Sequence, residues 1–423
     1  MRNNKPNKKK PTFFMRHKLL KASLLLLAVL IIILIVLNIV GKLQQDAFQN
    51  SLNSFYDTAG LNNTGPQGEI IRSEPVTVSL QNGTGQRVLY RTQRADGSNT
   101  FTSGMIYTPS APSASPRPIM AWAHGTLGMG DSCAPSRQKD PIGNTGMGWV
   151  DAMMARGWVV TATDYAGFGT PGIEAYLVGQ SEAHDVLNSV RAVKNLPGTN
   201  AGNSYAIWGH SQGGHSALFS ASLAASYMPE YQLVGTAASA PAAQLESLLT
   251  QQFDTAVSWL IGPEVVVSWP DNFAGLNPDQ VLTSPGAKNY QATAEACIKD
   301  VALGGIIRAK IGQKFFTQSL MTLPEWKSVI TKETAPVLSP SQPLLVAESL
   351  TDQVVLPNTT AQYIQRACQG GSNLTSLWLN NVGHIALQGV VAPSVTNWLG
   401  DRFAGRATAP TCNQPLPITP ATN

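Results

Sequence analysis

The stretch 204–225 constrains the fold of this 423-residue chain more than any other. An apolar run at 204–208 has strand character, and apolar residues recur with helical spacing at 217–224. Between them lies Gly-His-Ser-Gln-Gly at 209–213. A strand that turns this sharply into a helix holds the serine in a strained backbone conformation, so both ends of the pattern must lack bulky side chains. The stretch therefore predicts a strand, a tight turn with Ser211 at its apex, and a helix.

The Gly-x-Ser-x-Gly pattern is not specific by itself, because the chain contains 37 glycines. The alternative is a glycine-rich turn before a buried helix. The surrounding chain favours the first interpretation, because strand and helix patterns alternate around it, as in a mainly parallel, doubly wound α/β sheet. The predicted strands are 70–80, 87–92 and 100–107, which form an antiparallel start, then 119–123, 159–163, 204–208, 233–239, 344–347 and 377–379.

The alternation stops between Pro241 and Pro343. Helix-like stretches at 244–260 and 291–307 carry apolar residues that look exposed, among them Trp259, Trp269 and Phe273. We interpret this segment as a helical cap inserted over the sheet; the alternative is a continuation of the core layers. The predicted division is a core of two parts, 67–241 and 343–406, a cap at 242–342 and a proline-rich tail at 407–423.

The N-terminal region has the pattern of a membrane anchor. Residues 1–21 contain eight Lys or Arg and no acid, and residues 22–40 are apolar except for Ser23 and Asn38. A helix of that length measures about 28 Å, close to the ~30 Å hydrocarbon core of a bilayer. We therefore predict a basic cytoplasmic tail at 1–21, a transmembrane signal anchor at 22–42, a polar linker at 43–66 and an extracytoplasmic catalytic domain, periplasmic or extracellular. The alternative is secretion after cleavage of a signal peptide, although no convincing small-x-small site follows.

Charge and composition exclude some functions. Beyond the basic tail the chain carries 21 basic and 25 acidic residues, so nothing favours binding to nucleic acid. Charged residues make up only 13% of the chain, which suits a large buried core. No close pair of Cys or His has the spacing of metal ligands, and we expect no metal site.

The serine at the apex needs a histidine as base and a carboxylate to orient that histidine. In this topology the expected order along the chain is nucleophile, acid, histidine. His384 is the one histidine of six that lies beyond the elbow helix, in a predicted loop after the strand at 377–379. Asp352 lies in the loop beyond the strand at 344–347, and Glu348 at the end of that strand is the alternative acid. We predict Ser211, Asp352 and His384 as the catalytic residues.

The tetrahedral intermediate of acyl transfer also needs N–H donors for its oxyanion. One expected donor is Gln212, which follows the serine. The other is Thr126, in the loop after the strand at 119–123, where His124 is expected to orient the loop. The remaining histidines near the site are interpreted as structural, with the ring of the first pointing away from the nucleophile: His210, His184 and His215.

Five motifs together resemble the secretory lipase family, and in particular its fungal lipase A-type members. They are Trp-Ala-His-Gly-Thr at 122–126, Cys-Ala-Pro-Ser at 133–136, Asp-Tyr-Ala-Gly-Phe-Gly-Thr-Pro at 164–171, Arg-Ala-Val at 191–193 and the elbow. The resemblance spans about residues 70–412. It implies an α/β-hydrolase core with a helical cap, hydrolysis of carboxylic esters, usually triacylglycerols, no cofactor, and Thr126 and Gln212 as oxyanion donors. The chain departs from the family in its predicted anchor and in Gln212, where fungal relatives tend to have glycine.

The four cysteines, in a chain predicted to be exported, suggest two disulfides. Four cysteines permit three pairings, and their spacing alone does not choose among them. Their positions favour a Cys133–Cys297 bond, which would tether the cap beside the oxyanion loop, and a Cys368–Cys412 bond, which would hold the tail. The family resemblance implies the same pairs.

These observations predict a serine carboxylic ester hydrolase, a lipase or esterase that acts through an acyl-enzyme on acyl esters, with lipid esters as the expected substrates. One alternative is an acyltransferase that uses the same three residues. Another is a non-catalytic, membrane-tethered binding protein on the same scaffold, since a fold alone does not establish a function.

Overall fold

The computed structural model describes residues 13–422. It has two units, which are described separately: the N-terminal helical segment up to Ser54, and a domain that begins at Phe55. The segment belongs to α1 (Phe13–Tyr56). From Leu24 onward this helix is long and apolar enough to cross a membrane, and a signal sequence near an N-terminus would have the same features. α1 continues to Tyr56, so the first part of the linker predicted at 43–66 is helical. Residues 42–56 contain no Gly or Pro that would stop the helix.

The domain is built on one sheet, which within residues 13–422 has nine strands. They are β1 (Ile70–Val76), β2 (Gly83–Gln93), β3 (Asn99–Pro109), β4 (Arg117–Ala123), β5 (Val159–Thr163), β6 (Ala201–His210), β7 (Gln232–Ser239), β8 (Leu344–Ser349) and β9 (Leu374–Leu379). Their order across the sheet is β1-β2-β3-β5-β4-β6-β7-β8-β9. The pairs β1–β2, β2–β3 and β3–β5 are antiparallel. The pairs β5–β4, β4–β6, β6–β7, β7–β8 and β8–β9 are parallel. The predicted antiparallel start and mainly parallel sheet are confirmed.

Helices cover both faces of this sheet. After α1 they are α2 (Val150–Ala155), α3 (Gly179–Asn195), α4 (Gln212–Tyr227), α5 (Leu245–Gln252), α6 (Ser258–Asn272), α7 (Ser284–Glu295), α8 (Ile298–Lys310), α9 (Pro324–Lys332), α10 (Pro357–Gln369) and α11 (His384–Phe403). The alternation of side chains along β6 shows the two layers. Tyr205 and Ile207 pack towards α3 and α4, whereas Ala206 and Trp208 pack on the opposite face, which α2 and α11 cover.

The segment between β7 and β8 contains α5 to α9. The single helix predicted at 244–260 is wrong, because the chain breaks between α5 and α6. Trp259 and Trp269 are buried rather than exposed. Trp259 packs edge-on against Phe315 at a ring distance of 5.1 Å, and Trp269 lies 6.2 Å from the ring of Trp326. The segment therefore has an aromatic core of its own, while its role as a cap and its bounds at 242–342 stay a prediction.

Two disulfides link distant parts of the domain. Cys133 is bonded to Cys297, and Cys368 is bonded to Cys412. The first bond joins the loop after β4 to the residue that precedes α8. The second holds the C-terminal tail, whose Thr411 donates its N–H to the carbonyl of Leu374 at 2.8 Å.

Candidate active site

Ser211 lies at the sharp turn between β6 and α4, as the sequence predicts. Its backbone angles, φ 59° and ψ −119°, are unusual for a residue with a side chain. A Cβ added to Gly209 would lie 1.9 Å from the carbonyl oxygen of Gly213, and one added to Gly213 would lie 1.9 Å from that of Ala123. Both glycines are therefore required for the strand, the turn and the helix to approach this closely.

The structure brings Ser211, His384 and Asp352 together in one hydrogen-bonded line. The Nε2 of His384 lies 2.9 Å from the Oγ of Ser211, and its Nδ1 lies 2.6 Å from Oδ2 of Asp352. The other carboxylate oxygen of Asp352 accepts the N–H groups of Val354 and Val355 at 2.8 and 3.1 Å. The sequence predicts a loop at His384, but His384 is the first residue of α11. The helix begins before the apolar residues that indicate it in the sequence.

Glu348, the alternative acid, is engaged elsewhere. Its carboxyl group accepts hydrogen bonds from the hydroxyl of Thr360 at 2.6 Å and from the N–H of Ser349 at 2.7 Å. Burial, together with the charge of Asp352, raises the pKa of Glu348 well above its ordinary value. Asp352 is thus the carboxylate that contacts His384.

His210 does not point away from the nucleophile, and that prediction is wrong. Its ring lies 4.7 Å from the ring of His384 and is almost completely buried. The direction in which the side chain before the serine points cannot be derived from the Gly-x-Ser-x-Gly pattern, because it depends on the backbone twist at Ser211. Burial, and then the proximity of His384, lower the pKa of His210 well below its ordinary value. His210 therefore remains neutral.

The loop after β4 lies against the elbow. A Cβ on Gly125 would lie 3.0 Å from the carbonyl oxygen of His210 and 3.3 Å from the Cβ of Ser211. The ring nitrogens of His124 lie 2.8 Å from the carbonyl oxygen of Gly125 and 3.2 Å from that of Asp164, in keeping with an orienting role. The hydroxyl of Thr126 shares a hydrogen bond of 2.8 Å with the hydroxyl of Tyr176.

Gln212 is the first residue of α4, so its N–H has no acceptor within the helix. Its side-chain amide donates hydrogen bonds to the carboxyl groups of Glu174 and Glu182. Glu174, Glu182 and Tyr176 were not predicted from the sequence as residues of the site. The signal that was available is the polar character of Glu174 and Glu182 in an otherwise apolar stretch that leads into α3.

A narrow, largely apolar pocket begins at Ser211 and Gln212. Its walls come from the loop before α3, from α5 and α6, and from the segment between α8 and α9; they include Tyr176, Leu177, Leu245, Leu248, Val265 and Phe316. Within residues 13–422 we find no group of three or more Asp, Glu, His or Cys side chains that is arranged to hold a metal ion.

The mainly parallel sheet, with a nucleophile elbow between a central strand and its helix, defines an α/β-hydrolase. Residues 144–410 match the family model described as Secretory lipase, and the chain belongs to the secretory lipase family. The family predicted from the sequence is confirmed.

Among sequence relatives, a protein of Mycobacterium tuberculosis named as a probable inactive lipase is 24% identical over 396 residues, which are 86% of each chain. A secreted triacylglycerol lipase of Malassezia globosa is 26% identical over 395 residues, 87% of this chain and 82% of that one. Family membership supports a hydrolase of the lipase or esterase class.

Among solved structures, lipase A of Candida antarctica in its closed state has a TM-score of 0.69 at 19% identity, over 86% of this chain and 89% of that one. The cell wall degrading esterase LipA of Xanthomonas oryzae has a TM-score of 0.68 at 19% identity, over 81% of this chain and all of that one. At these identities the structures establish the fold.

Proposed function

We propose that the protein is a serine carboxylic ester hydrolase that works through an acyl-enzyme. The observation that carries the proposal is the line of hydrogen bonds from Ser211 through His384 to Asp352 at the mouth of an apolar pocket. A serine hydroxyl becomes a nucleophile only when a base takes its proton, and this line supplies the base and the group that orients it.

In the proposed reaction, His384 takes the proton of Ser211 while the serine oxygen attacks the ester carbonyl. The oxyanion of the tetrahedral intermediate accepts hydrogen bonds from the N–H groups of Gln212 and Thr126. His384 then gives its proton to the leaving alcohol, and the acyl group stays on Ser211. A water molecule then gives a proton to His384 and attacks the carbonyl carbon of the acyl group; the bond from that carbon to the oxygen of Ser211 breaks, and His384 returns the proton to Ser211 as the acid leaves.

The pocket and the relatives suggest the substrate class. Leu245, Leu248 and Val265 present hydrocarbon surface next to Ser211, which suits the acyl chain of an ester. The Malassezia globosa relative is named as a triacylglycerol lipase. We therefore propose acyl esters of lipids as substrates, with triacylglycerols among them.

The test is ester hydrolysis by three variants. Ser211→Ala and His384→Ala should each lower kcat by on the order of 10⁵–10⁶-fold, because the residues act as a unit, and Asp352→Asn should lower it by on the order of 10⁴-fold. Ser222→Ala, which removes an exposed serine from α4, is the matched control and should keep full activity. Substantial turnover by Ser211→Ala would overturn the mechanism.

A second candidate, a binding protein without activity, gains some support from the relative named as probably inactive. The hydrogen bond of 2.9 Å between Ser211 and His384 argues against it, because binding alone does not need a base in contact with the serine. Acyl transfer would use the same residues. It is separated from hydrolysis by adding an alcohol and measuring the ratio of new ester to free acid.

We further propose that α1 anchors the protein, with the domain outside the cytoplasm. The support is the exposed apolar surface from Leu24 to Val40. The protein should then stay in the membrane fraction at high salt and alkaline pH. A mature N-terminus beyond Gly41, found by mass spectrometry, would instead indicate a cleaved signal peptide and secretion.

A further inference from the structure

The two expected oxyanion donors come from different elements, Thr126 from the loop after β4 and Gln212 from the start of α4. Donors of this kind act only if their separation is fixed before the reaction. One short segment, Glu174–Leu177 just before α3, contacts both. We infer that this segment, together with Glu182, positions the two oxyanion donors; the inference rests on the proposed hydrolase function.

The first contact runs through Tyr176. Its hydroxyl lies 2.8 Å from Oγ1 of Thr126. The tyrosine is almost completely buried, and its carbonyl oxygen accepts the indole N–H of Trp269 from α6 at 3.0 Å. Burial, and then the nearby carboxyl group of Glu264, raise the pKa of Tyr176, so its hydroxyl keeps its proton and the hydrogen bond to Thr126 persists.

The second contact runs through the side chain of Gln212. Its Nε2 donates to Oε1 of Glu174 at 2.9 Å and to Oε1 of Glu182 at 2.8 Å. An amide nitrogen has two hydrogens, so both are used, and the side chain has no freedom to rotate without losing a buried hydrogen bond. Because the same residue supplies the N–H donor, fixing the side chain also fixes the first turn of α4.

Glu182 connects this arrangement to the segment. Its Oε1 accepts the N–H of Leu177 at 2.9 Å, and its Oε2 accepts the hydroxyl of Ser216 at 2.5 Å. Two buried carboxyl groups on one nitrogen do not both carry a charge at low cost. Burial, and then the charge of Glu182, raise the pKa of Glu174 well above its ordinary value. Glu174 therefore holds a proton, while the carboxylate oxygens of Glu182 accept hydrogen bonds from Gln212, Leu177 and Ser216.

The backbone of the segment is itself strained. Leu177 has φ 52°, in the left-handed region that residues with a Cβ rarely adopt. Such conformations persist only where the surroundings enforce them, and they concentrate at functional sites. Tyr176 and Leu177 also line the pocket beside Ser211. The segment thus connects the wall of the pocket to both donors.

The decisive variant is Tyr176→Phe in the full chain, which removes one hydroxyl and leaves the ring. Loss of a complete oxyanion donor lowers kcat by about 10²–10³-fold, so misplacement of one should cost about tenfold, with KM within about twofold. The affinity for an alkyl boronic acid, whose adduct with serine puts an oxygen in the oxyanion position, should also fall about tenfold. Tyr363→Phe, which removes an equally buried hydroxyl bonded to the carbonyl of Pro336, is the matched control.

A double-mutant cycle tests whether Tyr176 acts through Thr126. Thr126→Val removes the hydroxyl but keeps the backbone N–H, and it should lower kcat about as much as Tyr176→Phe does. If the two hydroxyls act as one unit, the double variant should lose no more than either single variant. Fully multiplicative losses would contradict this part of the inference.

Glu174 allows a second comparison. Glu174→Gln is nearly isosteric with a protonated glutamic acid and still offers an oxygen to Gln212, so kcat should stay within about threefold. Glu174→Leu keeps the volume but not the hydrogen bond, and it should lose about tenfold in kcat and in boronate affinity. A merely structural role would instead lower the melting temperature and leave both kinetic quantities unchanged.

The outcomes separate this inference from the proposed function. If the wild-type protein neither hydrolyses esters nor binds the boronate, the proposed function fails. If the wild type does both and folded Tyr176→Phe matches it in kcat and boronate affinity, or differs in KM alone, the positioning role is wrong. Should Glu174→Leu fail to fold, Tyr176→Phe and the cycle with Thr126→Val decide alone.

Discussion

The Cys133–Cys297 disulfide gives a prediction about both stability and activity. It closes a loop with a sequence separation of 164, against 44 for Cys368–Cys412. Loop entropy sets upper limits of about 5 and 4 kcal/mol on their contributions to the free energy of unfolding, and measured values are usually lower. We expect the double variant Cys133→Ala with Cys297→Ala to lose about 3 kcal/mol. In a domain of this size that lowers Tm by about 4 °C.

In this variant, local unfolding should begin near Ser211. Two backbone hydrogen bonds lie beside the disulfide, from Met129 N–H to Ala294 at 2.8 Å and from Ile298 N–H to Leu127 at 2.9 Å. Without the disulfide, these hydrogen bonds and the close backbone packing of Gly128 and Gly130 on residues 295–296 hold the loop that follows Thr126 to the segment between α7 and α8. The contacts of the loop should therefore open before the domain unfolds, and esterase activity should fall at a lower temperature than the tryptophan fluorescence reports.

The assay compares thermal inactivation with the fluorescence melt for this variant and for Cys368→Ala with Cys412→Ala. In the second variant the two curves should coincide, because its disulfide lies in the tail, away from Ser211. If activity and fluorescence are lost together in the first variant, or if that variant is more stable than the second, the account of the disulfide is wrong.

Two further predictions concern the buried polar network. Removal of residues 1–42 should leave the domain folded. Tyr56→Phe should lower the free energy of unfolding by about 1–3 kcal/mol in a thermal melt, because the buried hydroxyl is bonded to Ser136 at 2.6 Å. An unchanged melt would contradict this. Burial raises the pKa of Asp185 from 3.8 to about 7. The protonated carboxyl group therefore stabilises the folded state fully below pH 4, and this stabilisation is lost as the pH rises through 7. Asp185→Asn should then reduce the decline in stability between pH 5 and 8 by about 2–3 kcal/mol, and an equally steep decline would refute it.

The sequence predicts the elements whose signals are local. The strand predicted at 159–163 coincides with β5, and the elbow is as expected, because glycines at fixed spacing leave the backbone few alternatives. Asp352 and His384 lie in contact as predicted, since the parallel strands before them end at the same edge of the sheet.

The sequence does not predict what tertiary packing decides. The break between α5 and α6, and the burial of Trp259, depend on contacts with residues such as Phe315, more than 50 positions away. The same holds for Glu174 and Tyr176. Their role comes from contacts with Gln212 and Thr126, and no spacing along the chain brings these residues together.

The N-terminal end of the domain is another case. The polar stretch after the apolar run predicts a linker, yet Tyr56 is buried, with the guanidinium of Arg137 4.0 Å from the centre of its ring. Composition identifies the polar character of such a stretch. It does not identify the aromatic residues, Phe55 and Tyr56, that belong to the folded domain.

Covalent labelling determines whether Ser211 is an activated nucleophile. The full-length protein is treated with an alkyl fluorophosphonate and measured by intact mass, followed by peptide mapping. We predict one phosphonyl group per chain, on Ser211, and no label on Ser211→Ala or His384→Ala. A wild-type protein that remains unlabelled while hydrolysing esters, or a label on another residue with Ser211→Ala still active, would contradict the account.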